Sequence, residues 1–390
     1  MNDEPLLQAI VRETAAASDS TKRYIIRFAS AEHYERFVSG IGTVCPAQAA
    51  AAVTPLPLIH AVSCRLRSAA AVKAAGASCI AYIEADDRPA YVSMLHGATA
   101  RRKPVRPRTP KPAIPWGVGQ IRAPEAWPLS TGSRVKVGVI DTGIDYHHPN
   151  LRDSFEGGIN LVHPHLPPLD DNGHGTHISG TIAAAAKRSG IVGVAPHASI
   201  HAVKAFDHNG SAYVSDIVSG IYWCVRNRIR VINMSFGMKK KSGALEDAVR
   251  SAYHAGMIVV ASSGNDGKRS GIDFPASCPL AVSVGATTKR SRIASFSNRG
   301  RAIDIFAPGE KIYSTWLNGN YHVLSGTSMA TSHVSGVIAL MLAAKPELTP
   351  RQIKWLLKRH ASLMTVRNEL QVAYEANAYR TLLALSRIKS

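Results

Sequence analysis

From about Ala113 onward, short unbroken apolar runs alternate with stretches of helical period. Val135–Ile140, Ile200–Ala205, Val231–Met234, Met257–Ala261 and Leu280–Val284 read as strands, and Ser215–Arg226 and Ala244–Ala255 as helices between them. Strands that are apolar on both faces and separated by helices predict a parallel sheet covered on both sides. Functional residues in such an α/β fold gather beyond the carboxyl ends of the strands. The earlier part of the chain follows another pattern. Arg23–Phe28, Leu58–Leu66 and Cys79–Glu84 read as strands, and Ala31–Ser39 and Ala69–Ala75 as helices. This predicts a small mixed α+β unit of about 70 residues, close to the lower limit for an independent core.

Residues 1–22 are polar and rich in Ala and Ser, so a loose leader or a short helix is expected there. Between the two units, Arg101–Pro112 carries six cations and four prolines in twelve residues, which predicts an extended linker open to proteolysis. The expected division is a tail over 1–22, a small domain over 23–92, a basic Pro-rich linker over 93–112 and a main domain over 113–390.

Composition narrows the function classes. The net charge of +19 favours acidic partners without choosing one. No basic stripe interleaved with aromatics and no nucleic-acid motif accompanies it, so nucleic-acid binding is not expected. Five widely spaced cysteines, Cys45, Cys64, Cys79, Cys224 and Cys278, do not form a disulfide framework, and the absence of Cys-x-x-Cys speaks against a zinc ribbon. The N-terminal Met-Asn-Asp-Glu-Pro-Leu-Leu lacks the basic start and apolar run of an export signal. The longest apolar run, Gly336–Ala344, is too short to cross a bilayer. A soluble chain without membrane association is the expectation; the sequence as it stands reads as cytoplasmic but does not settle the compartment.

Three segments carry chemistry. Asp141 ends the run Val135–Ile140, in Val-Ile-Asp-Thr-Gly-Ile-Asp. Alone it would read as a turn or helix-capping aspartate. His174 lies in Asn-Gly-His-Gly-Thr-His, ahead of a helix of small residues. A metal site using His174, His177, His163 and His165 lacks both the glutamate of zinc proteases and nearby cysteine ligands. Ser328 lies in Ser-Gly-Thr-Ser-Met-Ala and opens an apolar helix, where backbone N–H groups can stabilise an oxyanion. A hydroxyl becomes a nucleophile when a base adjoins it and a third group orients that base. The chain supplies all three in the order Asp, His, Ser, one of the known orders. Asn265, after the run Met257–Ala261, can donate its amide to the same oxyanion.

Together with Val-Ile-Asn-Met-Ser-Phe-Gly (231–237), Ser-Ser-Gly-Asn-Asp-Gly (262–267) and Phe-Ala-Pro-Gly (306–309), these blocks resemble those of the subtilisin-like serine proteases over about 113–385. The resemblance implies a three-layer α/β fold around a parallel sheet and hydrolysis of internal peptide bonds through an acyl-enzyme. It implies that Asp141 orients, His174 acts as base, Ser328 attacks, and Asn265 and the Ser328 backbone form the oxyanion hole. No cofactor is implied for the chemistry. Gly210, Ser211, Ala212 and Ser235, Phe236, Gly237 match the segments between which an extended substrate lies, and Ser262, Ser263, Gly264 match a wall of the specificity pocket. Residues 23–92 resemble the ferredoxin-like propeptide inhibitor of that family. This implies a self-processing precursor whose tail near Arg88–Val92 lies in the cleft. The partners implied are polypeptide substrates and the chain's own propeptide, with the enzyme a monomer. The family is commonly exported. A catalytically silent scaffold on the same fold is the rival reading, and retention of all four chemical residues argues against it.

Two departures from the family matter. Its strong calcium loop corresponds to Ala185–Gly190, where Lys187 and Arg188 carry the wrong charge and Asn150 stands in place of an acidic ligand. The site is expected to be lost, with the Lys187 ammonium filling part of its space. Asp273 corresponds to the floor of the specificity pocket, which would favour Arg or Lys before the cleaved bond.

Overall fold

The computed structural model describes residues 4–18, 21–44, 52–88, 90–92, 112–269, 271–364 and 373–387. Cys45 and nearly all of the 93–112 linker lie outside them. In the small unit, β1 (Arg23–Phe28), β2 (Val53–Leu56), β3 (Ala61–Arg65) and β4 (Ile80–Ala85) form an antiparallel sheet in the order β2-β3-β1-β4. Both faces of this sheet are apolar because both are covered. Ile26, Phe28, Val62 and Cys64 pack against the helices Ala31–Val44 and Ala69–Ala75. Ile25, Leu56, Ile59 and Ala61 join a core cluster of the main domain. The expected strand Leu58–Leu66 is shorter than predicted: Pro57–Ile59 forms a 3-10 turn and His60 adopts a left-handed φ of 48°, so β3 begins at Ala61. Residues 4–15 form a helix whose Leu6, Leu7 and Ile10 enter the small unit's core. Their spacing is the one-face period of an amphipathic helix.

The main domain is built on a nine-stranded sheet of β6 (Lys136–Asp141), β7 (Phe155–Asn160), β8 (Ser199–Lys204), β10 (Val231–Met234), β11 (Ile258–Ser262), β12 (Val282–Thr287), β13 (Ile305–Pro308), β16 (Ser362–Met364) and β17 (Ala373–Glu375). The order is β16-β17-β13-β12-β11-β10-β6-β8-β7. Only the β16–β17 pair is antiparallel. Alternate residues supply the two faces. Val137, Val139, Ile200, Val260 and Val284 face the helices His174–Ala183 and Thr327–Ala344. Ile140, Val203, Ile232 and Val259 face Val214–Arg226 and Gly243–His254. This is the three-layer α/β arrangement expected from the sequence.

The Thr327–Ala344 helix is longer than the run Gly336–Ala344. By length and composition it could cross a bilayer, but 89% of it is buried inside the protein, and its all-round apolar surface belongs to that central position. Two small ladders complete the architecture: β5 (Ala90–Tyr91) with β9 (Ser211–Ala212), and the hairpin of β14 (Ile312–Trp316) and β15 (Asn320–Leu324). In the order of the main sheet β8 and β7 lie on one side of β6 and β10 on the other, so the strand order reverses at β6, the kind of position where α/β sheets open a crevice at their carboxyl ends.

Candidate active site

Asp141 is the last residue of β6 and is wholly buried, so its carboxylate must be partnered. It accepts from the Thr142 backbone N–H at 2.8 Å. His174 Nδ1 lies 2.8 Å from one carboxylate oxygen and 3.0 Å from the other. A carboxylate only accepts, so Nδ1 carries the proton and Nε2 is the basic nitrogen. That Nε2 is buried and has no hydrogen-bond partner.

The His174 helix is placed by a residue that sequence reasoning passed over. Asp170, also buried, accepts from the backbone N–H groups of Asn172, Gly173 and Thr176 and from the hydroxyls of Thr142 and Thr176, at 2.6 to 3.0 Å. It ties the turn after Asp141 to the first turn of the helix. The signal was available, since an aspartate just ahead of a small-residue helix is a capping pattern. Gly175 is required by close approach, because a Cβ there would collide with the Gly143 carbonyl. Lys204, 2% exposed, donates to the Thr142 carbonyl at 2.7 Å and to Asp171 at 2.6 Å, bracing the same turn. His177 sits one helical turn from the site edge. Its Nε2 bonds the Ile312 carbonyl at 3.1 Å, and burial, with neighbouring His174, pushes it down to about 3. It is a packed neutral histidine.

Ser328 stands in the first turn of the Thr327–Ala344 helix and is 2% exposed. Its hydroxyl donates to the Ser235 carbonyl at 2.7 Å, and the Ser235 hydroxyl donates back to the Ser328 carbonyl at 3.0 Å. The expected contact between Ser328 Oγ and His174 Nε2 is therefore not made. The Asn265 side-chain oxygen accepts from both the backbone N–H and the hydroxyl of Thr327 at 2.9 Å, which fixes which edge of the amide carries its donors.

The other expected site residues fall into two groups. Ser211–Ala212 form β9, and β5 pairs with it antiparallel, Ala90 opposite Ala212 and Tyr91 opposite Ser211; Val92 N–H bonds the Gly210 carbonyl at 3.0 Å. Of the tail near Arg88–Val92, Ala90–Tyr91 thus form a strand on the Gly210–Ala212 edge, continued by the Val92 bond. Ser235–Gly237 and Ser262–Gly264 are joined by Ser262 Oγ donating to the Phe236 carbonyl at 3.0 Å. The Phe236 ring itself is core, 4.8 Å from Phe206. Asp273 N–H bonds the Ser263 carbonyl at 3.0 Å, and a Cβ on Gly237 or Gly264 would fall 2.7 or 2.5 Å from Asp273 Oδ2. The carboxylate thus lies between the two backbone segments.

Contacts from the small unit were not foreseen either. Glu84 caps the Gly243–His254 helix, accepting from Ser242 Oγ at 2.6 Å and from Gly243 N–H at 2.9 Å. Asp86 caps the Val214–Arg226 helix through Ser215 N–H at 3.0 Å and is held by Arg23 at 3.1 Å. Around the calcium-type loop, Lys187 turns outward to Asp153 at 2.8 Å instead of filling the space. Asn150 holds the loop. Its amide donates to the Ser189 carbonyl at 3.2 Å and accepts from Ile191 N–H at 3.0 Å and Tyr321 OH at 2.7 Å.

The sequence signature of the Subtilase family matches residues 132–381, which contain all four chemical positions. The chain belongs to the subtilase family. It is 42% identical over 257 residues to Subtilisin E of Bacillus subtilis (strain 168), covering 65% of this chain and 67% of that protein. Subtilisin of Bacillus pumilus is 42% identical over 257 residues, 65% of this chain and 93% of that protein. Subtilisin Savinase of Lederbergia lenta is 44% identical over 251 residues, 64% of this chain and 92% of that protein. The subtilase is a serine-type endopeptidase, a hydrolase whose chemistry needs no cofactor.

Proposed function

We propose that this subtilase cleaves polypeptides with Asp141, His174 and Ser328 as its triad and Asn265 with the Ser328 backbone N–H as its oxyanion hole. The observation that carries the reading is the His174 imidazole, doubly bonded to Asp141 through Nδ1 and keeping Nε2 buried and unbonded. A change of rotamer releases the Ser328 hydroxyl from the Ser235 carbonyl to that nitrogen. His174 then takes its proton, and Asp141 stabilises the imidazolium that forms. Ser328 Oγ adds to the scissile carbonyl, and the C–N bond breaks as His174 returns the proton to the leaving amine. A water deprotonated by the same histidine then hydrolyses the acyl-enzyme and restores Ser328. Asn265→Ala is expected to lower kcat by about 10²–10³, a magnitude measured on subtilisin itself, with little change in KM. Steady-state kinetics on a peptide substrate check it, and an unchanged kcat removes Asn265 from the oxyanion hole.

The residues before Val92 are proposed to act as an inhibitory propeptide. Support comes from β5 on the substrate-binding edge and from Glu84 and Asp86 on two helix N-termini, where carboxylates are favoured. Removing one such cap costs about 0.5–2 kcal/mol, so Glu84→Ala in an isolated 1–92 segment should weaken its inhibition of the mature enzyme about 2- to 30-fold. An unchanged inhibition constant refutes the capping role.

Loss of the family's strong calcium site is proposed on the strength of Asn150, whose amide bonds the loop backbone directly. Calcium elsewhere in the chain is a separate question, so the check is at the loop: wild type and Lys187→Ala are expected to show the same calcium titration, and tight calcium binding at residues 185–190 of wild type contradicts the proposal. Asp273 is proposed to line the pocket for the residue before the cleaved bond, where an unpaired carboxylate would favour Arg or Lys, but Lys239 already rests on it.

A further inference from the structure

The backbone hydrogen bonds between Met238 and Phe274 bring residue 239 beside residue 273. Lys239 Nζ lies 2.9 Å from each oxygen of Asp273 and also pairs with Asp266, which Lys268 approaches at 3.5 Å. Two carboxylates thus meet two ammonium groups, and the formal charge of the cluster is zero. Asp273 is 7% exposed, whereas the Lys239 side chain keeps 44% of its surface. The carboxylate is fixed beneath the backbone segments and the cation reaches it from the solvent side. Burial alone would lower the Lys239 ammonium, yet Asp266 and Asp273 hold it above the ordinary lysine value. Lys239 therefore carries its charge at neutral pH.

We infer that Lys239 is a specificity-determining residue that occupies, from within the chain, the position on Asp273 that a substrate's basic side chain would take. An arriving Arg or Lys meets a neutral cluster and must displace Lys239, losing one ion pair to gain another. A neutral side chain of similar length needs no such exchange. With Lys239 neutralised, Asp273 would instead be a bare buried carboxylate at the pocket floor, and a basic side chain would be its only good partner. The inference rests on the peptidase reading and on the position of Asp273 beneath Gly237 and Gly264.

The test compares kcat/KM for peptide nitroanilides that differ only in the residue before the cleaved bond, Lys, Met or Glu, in wild type, Lys239→Met, Asp273→Asn and the double variant. Lys239→Met is expected to raise the Lys-to-Met ratio about 10- to 100-fold, the worth of one charge-assisted hydrogen bond. Asp273→Asn in the same background is expected to abolish that gain. Wild type supplies a readout that needs no variant: its Glu peptide should be cleaved within about tenfold of its Met peptide, because a neutral cluster does not repel it. An unchanged ratio in a folded Lys239→Met, a gain that survives Asp273→Asn, or wild-type rejection of Glu in favour of Lys overturns the inference while leaving the peptidase intact. Failure of wild type to cleave any of the peptides overturns both.

Discussion

Ser328→Ala is expected to leave a chain that stays full length under conditions where wild type shortens itself. The substitution removes the hydroxyl that donates to the Ser235 carbonyl but leaves the Thr327–Ala344 helix, the Asn265–Thr327 contacts and the Asp141–His174 pair untouched. Loss of turnover would therefore report chemistry and not unfolding. Removing the nucleophile of such a unit costs about 10⁶ in kcat, a factor known from subtilisin itself. Mass spectrometry after incubation at neutral pH should show wild type losing about 90–110 N-terminal residues, cut within the basic Pro-rich segment, while Ser328→Ala loses none. If both are cut alike, a contaminating protease is responsible. If neither is cut, a fluorophosphonate that labels wild type but not Ser328→Ala still establishes the nucleophile, and absence of label removes it.

Asp141→Asn should cost about 10⁴ in kcat, and the local hydrogen bonds say why. Thr142 N–H donates to Asp141 Oδ1. An asparagine there keeps its carbonyl oxygen toward that donor and turns its NH₂ toward His174 Nδ1. The histidine must then accept at Nδ1 and carry its proton on Nε2, the nitrogen that has to receive the Ser328 proton. The variant should fold and melt like wild type, because the amide replaces the carboxylate with nearly the same shape. A kcat within tenfold of wild type would mean that Asp141 does not set the tautomer.

The α/β class, five of the nine strands of the main sheet, three of the four of the small sheet and both main helices of the Ile140 face were legible because each is written in a local period of apolar residues. The positions proposed for the site, Asp141, His174, Ser328 and Asn265, stand out in the sequence because each lies at a strand end or helix start within a short block. What escaped reading is long-range and polar. The Ser328 hydroxyl bonds a residue 93 positions away, and Glu84 caps a helix 159 positions away. No local pattern encodes such pairs. Lys239 is the first of three consecutive lysines, to which the sequence assigned no role, and only the Met238–Phe274 bonds show that it meets Asp273. Asn150 was recognised as a lost acidic ligand, but not as the group that bonds the loop itself. Residues 4–15 were undervalued because Leu6, Leu7 and Ile10 are diluted by polar neighbours.

The strand Ala90–Tyr91 on the Ser211–Ala212 edge has a kinetic consequence. On the proposed reading an incoming peptide would need the edge that Ala90–Tyr91 already pairs with, so the two would compete for one row of backbone groups. While the strand belongs to the same chain its local concentration is fixed, of about millimolar order for a short tether, however dilute the enzyme. After the connection is cut, occupancy follows mass action: dilution empties the edge, and a concentrated stock remains shut. Activity should then grow along a sigmoid, each freed molecule destroying the blocking strands of its neighbours, with a lag that depends on total enzyme concentration.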